Sequence, residues 1–312
     1  MSAYIGLKES LDTRVILETD LCMDVDDVGA IALMCDYVNT LGVKLCGISI
    51  NVNGPYEAGA ADALLSWFDL PQIPICVWDG SIPPCGNNSK YLKYLFDSKG
   101  EDRYASIQVM NPVDFYRQIL SDADDQGMEI ISIGFFCNLD AAFRQMPDLF
   151  TRKVRSVVAM AGSFREKVDY REFNIKQMPL EARRFIDTYP GELYFIGFET
   201  GDRVITDLSD WNPDANNLVY ESYRLFTKGS LCRPSWDLVA VDFAVNGINE
   251  RYTLSESGKV TVLESAMCDF QLKENGKHYY VLFSQTHEEI GTFLSKQLKA
   301  NAHDRQKCPE LE

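Results

Sequence analysis

Hydrophobic and polar positions along this chain fall into two alternating kinds of run. Short, mostly apolar runs containing β-branched residues occur at 15–19 (VILET), 45–50 (LCGISI), 73–78 (IPICVW), 128–134 (MEIISIG), 154–162 (VRSVVAMAG) and 192–198 (ELYFIGF). Runs of that length and composition predict parallel strands buried on both faces. Between most of them, apolar residues recur at helical spacing over 27–40, 57–69, 112–124 and 177–188. Strand and helix taking turns predicts an open, mostly parallel α/β sheet covered by helices. From about 250 the pattern changes. RYTLSESGKVTVLE and FQLKENGKHYYVLFS place Ser-Gly-Lys and Asn-Gly between alternating runs, which predicts antiparallel hairpins, and a closing helix is expected over 286–300. Residues 79–110, with Pro83-Pro84, Gly86 and many charges, read as a mobile loop of the kind that covers a site. No internal repeat or low-complexity linker interrupts the 312 residues, so one α/β domain over 1–312 is expected.

The chemistry concentrates in LETDLCMDVDDVGAIALM, residues 17–34, where Asp20, Asp24, Asp26 and Asp27 lie between the first strand and the first helix. Open α/β sheets bind ligands at the carboxyl ends of their strands, which is where this cluster sits. Carboxylates brought together there repel one another and lose hydration, and a hard divalent cation resolves both problems. A solvated acidic loop capping the helix from Val28 is the other reading; it accounts for one or two aspartates but poorly for four. An EF-hand beginning at Asp20 fails, because Cys22, Val25 and Ile31 occupy positions that need Asp or Asn, Gly and Glu. Asp24-Val25-Asp26 mimics the DxD nucleophile of haloacid-dehalogenase phosphatases four residues too late. Neither GxxxxGK[ST] nor GxGxxG occurs. All three histidines, His278, His287 and His303, lie in the last 35 positions, which argues against a zinc cluster or a Ser-His-Asp triad.

The formal net charge of −16 speaks against nucleic acid or an anionic membrane as partner, since both attract cations. The N-terminus has no apolar signal core, and no run of roughly 18 apolar residues appears. Nine cysteines without CxxC spacing suit a reducing compartment, so a cytoplasmic location is expected and the Asn87-Asn88-Ser89 glycosylation match is read as chance.

ETDLCMDVDDVGAIAL resembles the opening signature of the nucleoside hydrolases, the inosine-uridine-preferring N-ribohydrolases and their divergent relatives. Four further segments match in the family's order: GISINVNGPYEAGAADALL, ISIGFFCNLDAAF, DYREFNI and RPSWDLVAVDFAV. The similarity covers about 13–246. It implies a Ca²⁺ ion held by Asp20, Asp27, the main-chain carbonyl of Cys137 and Asp237, all hard oxygen donors. It further implies that a ribose completes the coordination through its hydroxyls while Asp26 takes a proton from the water that attacks C1′. Asn53, Glu172 and Asn174 match positions that hold the sugar hydroxyls. Each also has a structural reading: Asn53-Gly54-Pro55 is a natural turn, Glu172 and Asn174 suit a helix cap, and Asp237 suits a helix N-terminus.

Several positions depart from the family pattern. Glu18 replaces an Asp, and Cys22 stands near the usual Gly. Trp236 occupies the place of the histidine that protonates the departing base, and Glu166 the place of an Asn that binds the 5′-hydroxyl, for which Asp169 is a substitute. Without the histidine, stacking of the base on tryptophan, with Trp78 and Trp236 as candidates, would favour purines; both also suit a core. Tyr220 or Tyr223, on a helix expected over 214–229, is an alternative proton donor. The resulting expectation is a Ca²⁺-dependent N-glycosidase acting on a ribonucleoside or ribosyl compound as a homo-oligomer, dimer or tetramer. The competing expectations are a non-catalytic ribosyl binder and a metal hydrolase acting on another ribosyl group, with Arg165, Lys167 and Arg171 supplying positive charge.

Overall fold

In the computed structural model, the first apolar run is the centre of the sheet. Residues 4–10, 12–82, 90–98, 109–165, 169–213 and 216–303 are described, the last three for backbone only. β1 (Arg14–Thr19) leads into α1 (Asp26–Leu41), β2 (Lys44–Ile50), α2 (Glu57–Trp67) and β3 (Ile75–Val77). α3 (Lys90–Asp97), β4 (Val109–Met110), α4 (Pro112–Ser121) and β5 (Met128–Ser132) follow. Then come α5 (Cys137–Gln145), α6 (Pro147–Lys153), β6 (Val154–Met160), α7 (Phe173–Gln177), α8 (Pro179–Thr188) and β7 (Glu192–Ile196). The C-terminal third holds α9 (Phe198–Gly201), β8 (Ile205–Asp207), α10 (Leu218–Phe226), β9 (Cys232–Pro234) and α11 (Trp236–Asn246). It closes with β10 (Tyr252–Leu254), β11 (Gly258–Val262), β12 (Cys268–Leu272), β13 (His278–Phe283) and α12 (His287–His303).

The main sheet has 11 strands in the order β12-β11-β13-β7-β6-β5-β1-β2-β3-β4, with β10 added against β13. β4 to β7 on either side of β1 are all parallel. Because both faces are covered, β1 reads apolar almost throughout, and Val15 and Leu17 enter one buried cluster while Ile16 enters the other. α1 and α11 pack together over the first of these. β8 and β9 form a separate antiparallel pair. No helix of the described residues is long and apolar enough to cross a membrane.

Two expectations change. The antiparallel C-terminal strands exist, but neither Ser-Gly-Lys nor Asn-Gly closes a hairpin between strands that pair. β11 pairs with β12 across residues 263–267, β10 pairs with β13, and β11 lies between β12 and β13. Gly258 and Gly276 instead permit close backbone passage: a Cβ on Gly276 would lie 2.3 Å from the Gly258 carbonyl oxygen. β13 then runs parallel to β7 and joins the sheet proper. Within 79–110, residues 83–89 and 99–108, including Pro83-Pro84, Gly86 and the Asn87-Asn88-Ser89 match, lie outside the described residues. The part between them is α3, whose Tyr91, Leu92 and Leu95 are fully buried, so this stretch is an amphipathic helix docked on the core rather than a loop.

Candidate active site

The carboxyl edge of the sheet gathers the aspartates because two helices begin there. Asp26 is the first residue of α1, and Asp237 the second of α11. The Asp26 Oδ2 accepts hydrogen bonds from the backbone N–H groups of Trp236 (3.2 Å) and Asp237 (3.3 Å), so a side chain of one helix caps the start of the other. The positive ends of both helix dipoles meet at this point. Asp27 accepts a short hydrogen bond from the Thr19 hydroxyl at the end of β1. Carboxylate oxygens of Asp26, Asp27 and Asp237 lie within 4.8 Å of one another, all buried. Asp20 lines the same cavity, which has a volume of about 290 Å³.

Burial raises the pKa of each of these four aspartates well above the carboxylate range, and repulsion among them adds to it, from Asp26 on Asp20 and Asp237 and from Asp20 on Asp27. Backbone N–H groups and the Thr19 hydroxyl offset only part of this cost. Such a donor set fits a hard divalent cation: buried, oxygen only, and short of positive charge.

Glu172 and Asn174 reach the cavity from α7. Glu172 is also the cap of that helix: its carboxylate accepts from the N–H groups of Asn174 (2.7 Å), Ile175 (3.1 Å) and Gly162 (3.2 Å). Burial still pushes its pKa up to about 7. The Asn174 amide donates to the Met160 carbonyl at 3.0 Å, tying α7 to the end of β6. Cap and site are the same residues here, so the two readings of the sequence do not exclude one another.

Aromatic residues line the same cavity as the carboxylates. Tyr170 and Phe198 have ring centroids 4.3 Å apart, and Phe198 and Trp236 5.4 Å apart. The indole Nε1 of Trp236 donates to the Phe198 carbonyl at 2.8 Å, which fixes the ring and occupies its one N–H. Arg233 completes the rim. Its Nε lies 2.8 Å from Asp24 Oδ1, its Nη2 bonds the other carboxylate oxygen, and its guanidinium carbon is 5.5 Å from the Trp236 ring centroid.

Other expected residues are not brought to the cavity wall. Cys137 is fully buried at the start of α5, its thiol 3.8 Å from the Asn51 carbonyl and its pKa raised by burial, as an unreactive thiol requires. Asn53 is exposed beyond the end of β2. Asn51 is the buried one: its N–H continues the ladder to Thr19 (2.9 Å), which carries that residue under the site and leaves Asn53 past the edge. Trp78 packs on the core and against Gly80 rather than at the cavity. Asp169 is exposed, as are Arg165 and Arg171. Glu166 and Lys167 lie outside the described residues. Tyr220 meets Trp211 edge-on, and the buried Tyr223 hydroxyl lies against Gly29, so neither reaches the cavity. Among the described residues no histidine lines it. Phe198, Tyr170 and Arg233 are not singled out by the sequence, although Tyr170 lies inside DYREFNI, Arg233 opens RPSWDLVAVDFAV and Phe198 ends the strand-like run ELYFIGF.

The family model described as inosine-uridine preferring nucleoside hydrolase matches residues 15–275. No curated protein sequence matches the chain. Among solved structures, an inosine-uridine preferring nucleoside hydrolase from Bacillus anthracis is similar at a TM-score of 0.69 and 13% identity, covering 92% of this chain and 99% of its own. An inosine-guanosine nucleoside hydrolase gives 0.71 and 16%, covering 93% and 98%. The type III effector protein XopQ complexed with adenosine diphosphate ribose gives 0.68 and 13%, covering 94% and 97%. At such identities the structures speak for the fold alone, whereas the family match spans most of the sequence. The chain belongs to the inosine-uridine preferring nucleoside hydrolase family.

Proposed function

We propose that this protein is a Ca²⁺-dependent N-glycosidase that hydrolyses a ribonucleoside, purine favoured, to ribose and free base. The observation that carries the reading is the set of three buried carboxylates, Asp26, Asp27 and Asp237, within 4.8 Å of one another at a cavity also lined by Trp236 and Phe198. Asp20, Asp27 and Asp237 would hold the ion; the Cys137 carbonyl, which the family resemblance adds to the set, belongs to a residue that does not line the cavity. A divalent cation there would supply Lewis acidity toward water and an anchor for vicinal sugar hydroxyls.

The chain's own residues divide the remaining work. Asp26 accepts the proton of the attacking water; the N–H groups of Trp236 and Asp237 hold its carboxylate in place. Glu172 and Asn174, fixed by the start of α7 and the end of β6, orient the sugar by its hydroxyls. Trp236 and Phe198 offer the base a flat apolar surface. A cavity of about 290 Å³ lies near the lower end of the ~300–1,000 Å³ usual for ligand clefts, as a single nucleoside requires.

The test is incubation of the purified protein with purine and pyrimidine nucleosides, with Ca²⁺ or with chelator, followed by an assay for reducing sugar. Chelator-sensitive release from at least one nucleoside is expected. A second reading, a ribosyl binder without turnover, is favoured by the tryptophan in place of the family histidine and by the ribosyl ligand of the effector neighbour. Titration calorimetry with adenosine diphosphate ribose decides for it if heat of binding appears and no nucleoside is cleaved.

A further inference from the structure

Glycosidic cleavage sends an electron pair to the base nitrogen, and here that charge develops in an acidic place. Six carboxylates line the cavity, from Asp20, Asp24, Asp26, Asp27, Glu172 and Asp237, and Arg233 is the one cation among its described lining residues. An anion formed beside that many acids needs a nearby donor or it will not leave. The indole Nε1 of Trp236 cannot serve, because the Phe198 carbonyl holds it.

Arg233 is built as a fixed donor. Asp24 engages Nε and Nη2, and Asp24 is itself anchored by the Val25 N–H on its carboxylate (2.7 Å) and by the Tyr91 hydroxyl on its carbonyl (2.6 Å). Phe226 and Trp236 flank the guanidinium, with centroids 5.4 and 5.5 Å from its central carbon. Nη1 has no partner among the described residues. The group therefore sits beside the ring that would stack the base, with N–H bonds to spare. Its charge is already balanced by Asp24, which makes the pair a poor anchor for a phosphate dianion yet leaves the N–H bonds of Nη1, unpartnered among the described residues, for charge that appears only during reaction.

On the hydrolase reading above, we propose that Arg233 is a catalytic residue that stabilises the departing base as an anion, in place of protonating it. Water oxygen bonds to C1′ as its proton passes to Asp26. The C1′–N bond breaks and its electron pair goes to the base nitrogen, which Arg233 meets with an N–H bond. The base later takes a proton from solvent, and Asp26 returns its own to solvent. Arg233 keeps all its protons throughout.

Leaving-group dependence tests this. Inosine needs help to release its base, whereas 4-nitrophenyl riboside releases a stable phenolate without it. With holoprotein in Ca²⁺, Arg233→Met is expected to lose about a hundredfold in kcat/KM on inosine, as removal of one preorganised donor does elsewhere, and far less on the activated riboside. The double variant Asp24→Asn/Arg233→Met, which leaves no unpaired carboxylate, should show the same split if the single variant folds poorly. Equal losses on both substrates in the double variant overturn the proposal and make Arg233 a structural clamp. Loss confined to binding of nucleoside monophosphates, with the leaving-group dependence unchanged, overturns it in favour of anion recognition. No ribose from either substrate with the unaltered protein overturns the hydrolase reading itself, and this inference with it.

Discussion

The carboxylate of Asp26 and the backbone N–H of Trp236, 210 residues apart in the chain, are joined by a 3.2 Å hydrogen bond. The same oxygen takes the Asp237 N–H, so Asp26 is both the proposed base and the cap of α11. Replacements at this position therefore separate two effects. Asp26→Asn keeps an oxygen for the cap and is expected to abolish ribose release while the protein stays folded and still binds Ca²⁺. Asp26→Ala should lose activity and also about 1 kcal/mol of stability with the cap. Kinetics with urea unfolding of both variants checks this; surviving activity in Asp26→Asn moves the base to Asp24.

Trp236 carries the aromatic wall, held by its bond to Phe198 and by ring contact with it. A purine presents more face to that wall than a pyrimidine does. Stacking on an aromatic side chain contributes roughly 1–3 kcal/mol per base. Trp236→Ala is expected to lower kcat/KM on inosine by about tenfold or more and on uridine by less. Equal losses on the two would sink the stacking role, and with it the purine preference.

The legible parts of this molecule are those whose physics is local. β1 and the aspartates after it stand within residues 14–27, and an apolar run followed by carboxylates and an apolar helix states both the strand and the candidate site. Asp237 is legible for the same reason, through the segment around it. Arg233 is not, because its meaning depends on Asp24, which lies 209 residues earlier. Asn53 misled because a sequence does not mark where a strand leaves its sheet: the ladder runs on to Asn51, and two positions further the chain is in solvent. α3 was hidden between proline and glycine, although Tyr91, Leu92 and Leu95 carry a helical stripe. The C-terminal strands were found but mispaired, since β11 inserts between the neighbours that Asn-Gly joins.

Raised carboxylate pKa values give the cation a pH signature. Burial and mutual repulsion hold protons on the Asp20, Asp26, Asp27 and Asp237 cluster in the ion-free protein, so an incoming cation must displace them. Ca²⁺ should stabilise the fold more at pH 8 than at pH 5. At a concentration a hundred times its Kd the stabilisation is about 2.7 kcal/mol, or a few degrees in Tm. Thermal unfolding with Ca²⁺ or chelator at both pH values measures it, and calorimetry in two buffers of different ionisation enthalpy should detect the released protons. Asp237→Asn is expected to remove most of the shift. A shift independent of pH would show that the ion binds elsewhere.

Glu18 lies beneath the site with no exposure, and its carboxylate accepts from Tyr116 (2.8 Å), Ser49 (3.2 Å) and Ser132 (3.1 Å). Three hydroxyl donors favour the charged form, yet burial outweighs them and lifts the pKa from 4.5 to about 8. Below pH 4.5 the folded and unfolded chains both hold this proton. Between 4.5 and 8 the unfolded chain releases it and the folded chain keeps it, so rising pH favours unfolding. Above 8 both are ionised and the penalty is complete, approaching ~5 kcal/mol. Stability from this group is thus present at low pH and lost across that window. Glu18→Gln cannot titrate, so the wild-type protein should lose ground to it steadily from pH 5 to 8 and no further beyond. Urea unfolding of both in chelator follows the difference, and a gap that stays constant with pH would mean that Glu18 is ionised throughout, its charge met by the hydroxyls after all.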